Sequence, residues 1–206
     1  MKLFYSPGAC SLAIHIALEE VGSPYEVSRV SKEAGGREAL LKANPKGAVP
    51  TLVLDNGQVL TETAALLQYL ADQAPTKNLL PPNGTWERYR AIEALNYVAT
   101  ELHKGFGPLF RADRMVSSPE GREQLKASAK EALAEKMRFV ADKVGEKYFL
   151  GADYSLVDAY ACTVLQWSRM VGVDLAAWPQ LKAYVARVAQ RPAVRRALQA
   201  EALGWN

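Results

Sequence analysis

Asn44-Pro45-Lys46-Gly47-Ala48-Val49-Pro50-Thr51-Leu52-Val53-Leu54-Asp55-Asn56-Gly57-Gln58-Val59-Leu60-Thr61-Glu62-Thr63 contains two short β-like runs, a tight turn between them and a helix start behind them. Thr51-Leu52-Val53-Leu54 and Gln58-Val59-Leu60 are the runs. The Asn56-Gly57 step tolerates positive φ at both positions and folds the second run back on the first. A helix is expected to follow from about Glu62 to Ala74. Upstream of the hairpin, Lys2-Leu3-Phe4-Tyr5 reads as a first strand and Ser11 to Glu20 as a helix closed by Gly22 and Pro24. Tyr25 to Val30 reads as a second strand and Arg37 to Lys42 as a short helix. The order is βαβαββα, the rhythm of a small α/β unit.

Downstream the rhythm changes. Pro75-Thr76-Lys77-Asn78-Leu79-Leu80-Pro81-Pro82-Asn83-Gly84 is dense in helix breakers and reads as a connection between two units. Beyond Thr85 apolar residues recur at helical spacing, as in Ile92, Leu95, Ala99 and Leu102, and in Leu181, Tyr184, Val185 and Val188, with no strand pattern among them. The expected organisation is an α/β domain over residues 1–75, a linker over 76–84 and a helical bundle over 85–206. In the bundle, Ser155 and Asp158 stand at capping-box spacing, with Tyr154 ahead of the cap as its apolar staple. That is a folding signal, so their expected contribution is to stability rather than to turnover.

A chain of 206 residues, 49% hydrophobic, can bury a sizeable core as one large domain or two small ones. Its 25 basic and 22 acidic residues are spread along the chain and leave a net charge of only +3. That balance argues against a nucleic-acid partner and against a polybasic membrane patch. The apolar run before Pro7 is too short for a signal peptide and no later stretch is long enough to span a bilayer, so a cytoplasmic protein is expected. Cys10 and Cys162 are then separate thiols. With only His15 and His103 beside them, and no paired spacing, no metal site is expected.

Three segments carry candidate chemistry. Ser6-Pro7-Gly8-Ala9-Cys10-Ser11 joins the first strand to the first helix, which sets Cys10 at a helix N-terminus. Free N–H groups and the helix dipole there favour a thiolate and lower the thiol pKa below its usual ~8.5. The alternative is an inert small residue under a turn. Cys162, among Tyr160, Ala161, Thr163 and Val164, reads as packed core. Pro50 removes a ladder donor at a strand start. If the Val49–Pro50 bond is cis, Val49 N–H and C=O face outward to pair with a peptide-like ligand; if trans, the segment is an ordinary loop. At Thr61-Glu62-Thr63 a helix start and the Thr63 hydroxyl can take a carboxylate while Glu62 takes an ammonium group, or Thr61 simply caps the helix.

Taken together, Ser6 to Ser11, Asn44 to Pro50 and Leu60-Thr61-Glu62 resemble the glutathione transferase superfamily, whose first domain is thioredoxin-like with this strand and helix order. Leu95-Asn96-Tyr97, Glu101-Leu102-His103-Lys104-Gly105-Phe106 and Pro108-Leu109-Phe110 are similar to the bacterial beta class, and the resemblance extends over essentially the whole chain. It implies an enzyme that takes glutathione as co-substrate, with Glu62 and Thr63 at the γ-glutamyl end, Val49 and Pro50 at the cysteinyl backbone, and Cys10 near the sulfur. His103 is implied beside the sulfur as a second catalytic group, with Asn96 and Glu101 on the same helix wall. Lys32 is implied at the glycyl carboxylate, with Arg37 as its rival. Lys104, Phe106, Phe110 and Trp167 are implied around a small hydrophobic electrophile. His15 reads as structural. The implied reaction is attack of the glutathione thiolate on that electrophile, a detoxification chemistry. Cys10 leaves open thiol-disulfide exchange or peroxide reduction, with Ser11 as an alternative hydroxyl. A non-catalytic binding protein on the same scaffold is the third reading. The family further implies a homodimer, with Trp86 to Leu102 as a candidate interface.

Overall fold

The computed structural model describes residues 1–31, 35–144 and 147–205. Four strands form one sheet in the order β2-β1-β3-β4. Strand β1 (Lys2–Tyr5) runs parallel to β2 (Glu26–Arg29) and antiparallel to β3 (Thr51–Val53), which pairs antiparallel with β4 (Val59–Thr61). Leu3 opposite Leu52 gives the sheet its fully buried centre. Helices α1 (Ser11–Val21), α2 (Gly36–Ala43) and α3 (Thr63–Gln73) complete the βαβαββα order of a thioredoxin-like unit. Each strand and helix lies within a residue or two of its expected span. Gly36 cannot carry a side chain, because a Cβ there would stand 2.4 Å from the Arg29 carbonyl oxygen.

Helix α1 is apolar nearly all round, as a helix covered on both sides must be. Every residue from Ser11 to Leu18 is buried, and Gly22 at φ 79° closes the helix by donating to the Leu18 carbonyl at 2.9 Å. One side meets the sheet and α3; the other meets α7 and α9 of the helical half. Burying Leu12, Ile14, Ile16 and Leu18 contributes about 6–12 kcal/mol before entropy is counted.

The helical half comprises α4 (Trp86–Tyr97), a π-helical segment (Val98–His103), α5 (Gly107–Met115), α6 (Pro119–Lys143), α7 (Leu156–Leu165), α8 (Pro179–Ala189) and α9 (Pro192–Ala200), with short 3₁₀ turns between some of them. All ten residues of α7 are buried, which makes it the axis of the bundle. Its start carries the expected capping box: Asp158 Oδ2 accepts the Ser155 N–H at 2.7 Å and the Ser155 hydroxyl at 3.1 Å. Asp158 Oδ1 also accepts the Phe149 N–H at 2.8 Å and the Tyr184 hydroxyl at 2.6 Å. The two halves are clamped by Arg88 of α4. Its guanidinium donates to both carboxylate oxygens of Asp72 on α3, at 2.9 and 3.0 Å, and to the Pro81 carbonyl at 3.0 Å. Among the described residues no helix is long and apolar enough to cross a membrane.

Candidate functional site

Gly8 at φ 70° turns the chain out of β1, and Cys10 takes the N-cap position of α1. The Cys10 thiol donates to the Val49 carbonyl at 3.4 Å. Val49 itself precedes a cis peptide bond to Pro50, as the sequence allowed. The loop below is shaped by Asn44, whose amide donates to the Ala48 carbonyl at 3.0 Å and to the Thr51 hydroxyl at 2.9 Å.

The thiol does not behave as its helix position suggests. Burial pushes the Cys10 thiol above its ordinary value, and Glu62 adds to the rise; the Thr63 hydroxyl and the N–H groups of residues 10 and 11 oppose it without winning. The expectation of a lowered pKa is corrected accordingly: desolvation outweighs the helix end in the free protein. Ser11 is not an alternative hydroxyl for the site. It is fully buried and bonds the loop internally, accepting the Ser6 N–H at 3.1 Å and donating to the Ser6 carbonyl at 3.2 Å.

Glu62 stands at the N-cap of α3 with φ 71°, a left-handed backbone uncommon outside glycine. Lys46 donates to Glu62 Oε1 at 2.7 Å and to the Thr61 hydroxyl at 2.9 Å. That hydrogen bond holds the Glu62 carboxyl below its usual range, and the charges of Lys46 and Lys104 add to the effect. Lys46 was not singled out from the sequence, although it lies inside the Asn44-to-Pro50 motif.

From the helical half, the π-helical segment brings in His103. Its Nδ1 lies 2.8 Å from the Tyr160 hydroxyl of α7, and its ring meets Trp167 edge to face at 4.7 Å. Burial, reinforced by Lys104 and Arg111, lowers the His103 pKa to about 4, so the imidazole is neutral at pH 7. Tyr160 is a second residue that sequence reasoning passed over. Burial and the neighbouring Cys10 and Glu62 raise its pKa, and the Thr63 hydroxyl pulls it back, which sets Tyr160 in the surroundings of Cys10 as well as against His103. Its phenol is 2% exposed, a placement that the helical pattern of α7 presents as ordinary core.

The remaining candidates divide. Phe110, 41% exposed, packs with Trp167 at 5.8 Å, whereas Phe106 has no exposed surface and backs these two rings from the core. Lys104 is exposed beside the cluster. Glu101 turns away to pair with Lys136 of α6, and Asn96 is exposed on α4. Arg37 lies at the Gly47 turn, its Nη2 3.8 Å from where a Cβ on Gly47 would stand. Lys32 lies outside the described residues. In the candidate interface segment, Leu95, Val98 and Leu102 belong to the protomer's own core, while Trp86 and Tyr89 face outward, 71% and 58% exposed. A cleft of about 1260 Å³ opens near the connection between the halves, against Trp86, Tyr97, Phe139 and Tyr154, and shares no residue with the Cys10 cluster.

Comparison with known proteins agrees with this fold. The family described as glutathione S-transferase, N-terminal domain, matches residues 8–73, and glutathione S-transferase, C-terminal domain, matches residues 97–192. Glutathione S-transferase GstA of Escherichia coli O157:H7 is 42% identical over 98% of this chain and 100% of its own length. A sphingomonad glutathione S-transferase solved in complex with glutathione superposes with a TM-score of 0.88 at 42% identity, covering 99% of this chain and 100% of that one. The bacterial beta class glutathione S-transferase of Sphingomonas chungbukensis gives the same TM-score of 0.88, identity of 42% and coverage of 99% and 100%.

Proposed function

The chain belongs to the glutathione S-transferase family and resembles its bacterial beta class, and from that premise we propose that it joins the glutathione thiolate to small apolar electrophiles in the cytoplasm, as a detoxifying homodimer. Residues 1–75 bind glutathione in this reading, 76–84 connect, and 85–206 complete the electrophile pocket. The observation that carries it is the 3.4 Å approach of the Cys10 sulfur to the Val49 carbonyl. A tripeptide thiol paired with Val49 along its cysteinyl backbone brings its own sulfur to Cys10. Its γ-glutamyl ammonium then reaches Glu62, its carboxylate reaches Thr63 at the start of α3, and its glycyl carboxylate reaches Arg37 or Lys32.

The chemical step needs a thiolate, since the thiol is a poor nucleophile. His103 Nδ1 and the Tyr160 hydroxyl are 2.8 Å apart; in this reading the hydroxyl donates, so the neutral ring keeps its proton on Nε2 and offers it as a hydrogen bond to the glutathione sulfur. The thiol proton leaves to solvent, the carbon–sulfur bond forms at the electrophile, and the leaving group departs with its electron pair. Phe110 offers flat apolar surface to an aromatic electrophile, with the buried Trp167 packed behind it and Lys104 at the rim. Outward-facing Trp86 and Tyr89 on α4 support pairing of two copies, which sedimentation tests directly.

A second reading is favoured by the sulfur of Cys10 itself, because Ser11 is turned into the loop and offers no hydroxyl in its place. In thiol-disulfide exchange, the Cys10 thiolate attacks a sulfur of glutathione disulfide, forming a mixed disulfide and releasing one glutathione thiolate. Mass spectrometry separates the two: incubation with glutathione and a chlorinated nitroaromatic follows conjugate in solution, and incubation with glutathione disulfide follows any glutathione-sized adduct on Cys10. Conjugate that persists in Cys10→Ala is the expected result. Adduct on Cys10 without conjugate selects exchange, and neither product from a folded protein selects the non-catalytic binding protein.

A further inference from the structure

Lys46 stands on the loop that carries Val49, and hydrogen bonds fix its place there. Its N–H donates to Asn44 Oδ1 at 3.1 Å, and the next residue, Gly47 at φ 60°, donates to the Asn44 carbonyl at 2.8 Å. From that turn the side chain crosses to the end of β4, where Nζ donates to Glu62 Oε1 at 2.7 Å and to the Thr61 hydroxyl at 2.9 Å. The other Glu62 oxygen, Oε2, accepts no hydrogen bond among the described residues. Both side chains are open to solvent, 55% exposed for Lys46 and 76% for Glu62.

An exposed ion pair of this kind adds little to stability, so the fold alone gives weak reason for it. Its position gives a better one. The γ-glutamyl ammonium that comes to Glu62 meets a carboxylate already holding a cation, and the carbon that bears this ammonium also bears the ligand's α-carboxylate. That carboxylate comes to the start of α3, where no side chain caps the helix and where Thr63 is only 6% exposed. Lys46 Nζ already lies against Thr61, two residues ahead of Thr63. A lysine ammonium is a compact charge with three donors on a flexible stem, suited to exchanging one carboxylate for another.

We infer that Lys46 is a specificity-determining residue for the γ-glutamyl end: it holds Glu62 in the free protein and passes to the ligand's α-carboxylate when the ligand ammonium takes Glu62, so the site favours an end that carries both charges on one carbon. The inference rests on the reading of Glu62 and Thr63 as that end. A ligand with the ammonium alone sets two cations against one carboxylate and gives Lys46 no new partner. Lys46 donates to no group of the Cys10, His103 and Tyr160 cluster, so its effect belongs to binding and not to the chemical step.

The test compares glutathione with 4-aminobutyryl-cysteinyl-glycine, the analogue that lacks only the γ-glutamyl α-carboxylate, in the parent, in Lys46→Met and in Lys46→Arg. The parent's KM is expected to be higher for the analogue than for glutathione. In Lys46→Met the glutathione KM rises about fivefold, the upper range for an exposed ion pair, with kcat within about twofold of the parent. The KM for the analogue holds or falls in that variant, so the ratio of the two KM values shrinks about fivefold, and Lys46→Arg restores it. A lysine that only steadies Glu62 raises both KM values by one factor. An unchanged ratio in Lys46→Met therefore overturns the inference, as does a loss confined to kcat. Equilibrium binding of the S-methyl forms of glutathione and of the analogue repeats the comparison without turnover. A parent that binds S-methylglutathione and forms no conjugate defeats the transferase reading instead, and the ratio of the two affinities still decides the role of Lys46.

Discussion

Replacing Asp158 by alanine strands four buried donors at once: the N–H groups of Phe149 and Ser155 and the hydroxyls of Ser155 and Tyr184. The hydroxyls can rotate towards other acceptors, but the two backbone groups have nowhere to turn. At about 1–3 kcal/mol for each stranded backbone donor, the loss is about 2–6 kcal/mol. Taking about 4 kcal/mol as the centre, this is a large share of a typical stability of about 5–15 kcal/mol. For a chain of this size it lowers the melting midpoint by about 8–16 °C. The assay is thermal unfolding followed by circular dichroism, paired with conjugation activity measured well below the variant's own transition. Activity there is expected to stay close to the parent's, because Asp158 lies at the buried start of α7, bonded only to structural groups. A melting midpoint within about 2 °C of the parent's, with turnover abolished, would refute the reasoning and make Asp158 a residue of the site.

Tyr160→Phe removes the hydroxyl partner of His103 and is expected to lower kcat about fivefold with the glutathione KM unchanged; an unchanged kcat would show that His103 needs no such support. The pKa of His103, about 4 in the folded protein against 6.5 for the ordinary imidazole, makes the unfolded chain bind a proton that the folded one refuses. Stability from this group is therefore full above about pH 6.5 and declines as the pH falls towards about 4, and His103→Gln should flatten that part of the denaturant-midpoint profile relative to the parent. Parallel profiles for the two proteins would show that the ring is not held neutral by folding.

The sheet unit was legible because its signals are local. Asn56-Gly57 between two apolar runs, Pro50 before a strand and Gly22 after a helix each act within a few residues, and the elements observed start and stop close to where those signals stand. Candidate residues carried on such signals, Cys10, Val49 and Glu62, could be placed in advance on the turns and helix starts where they stand. What escaped depends on partners far away in the chain. Tyr160 looks like core by its spacing and becomes interesting only because His103, 57 residues earlier, comes to its hydroxyl. Glu201, just past the end of α9, accepts the Gly8 N–H across 193 residues, a separation that no periodicity records. The helix-dipole argument for Cys10 failed for a related reason, since burial is produced by the whole fold rather than by the helix on which the thiol sits.

The double-sided burial of α1 also bears on how the chain is made. The sheet and α3 are synthesised within the first 73 residues, but α9, which covers the other side of α1, ends at Ala200. At a synthesis rate of about 5–20 residues per second, the intervening stretch takes about 6–25 s to emerge. During that interval Leu12, Ile16 and their neighbours lack part of their final cover, on a segment already free of the ribosome. The first half of the chain therefore carries apolar surface without its final cover until the second half has emerged.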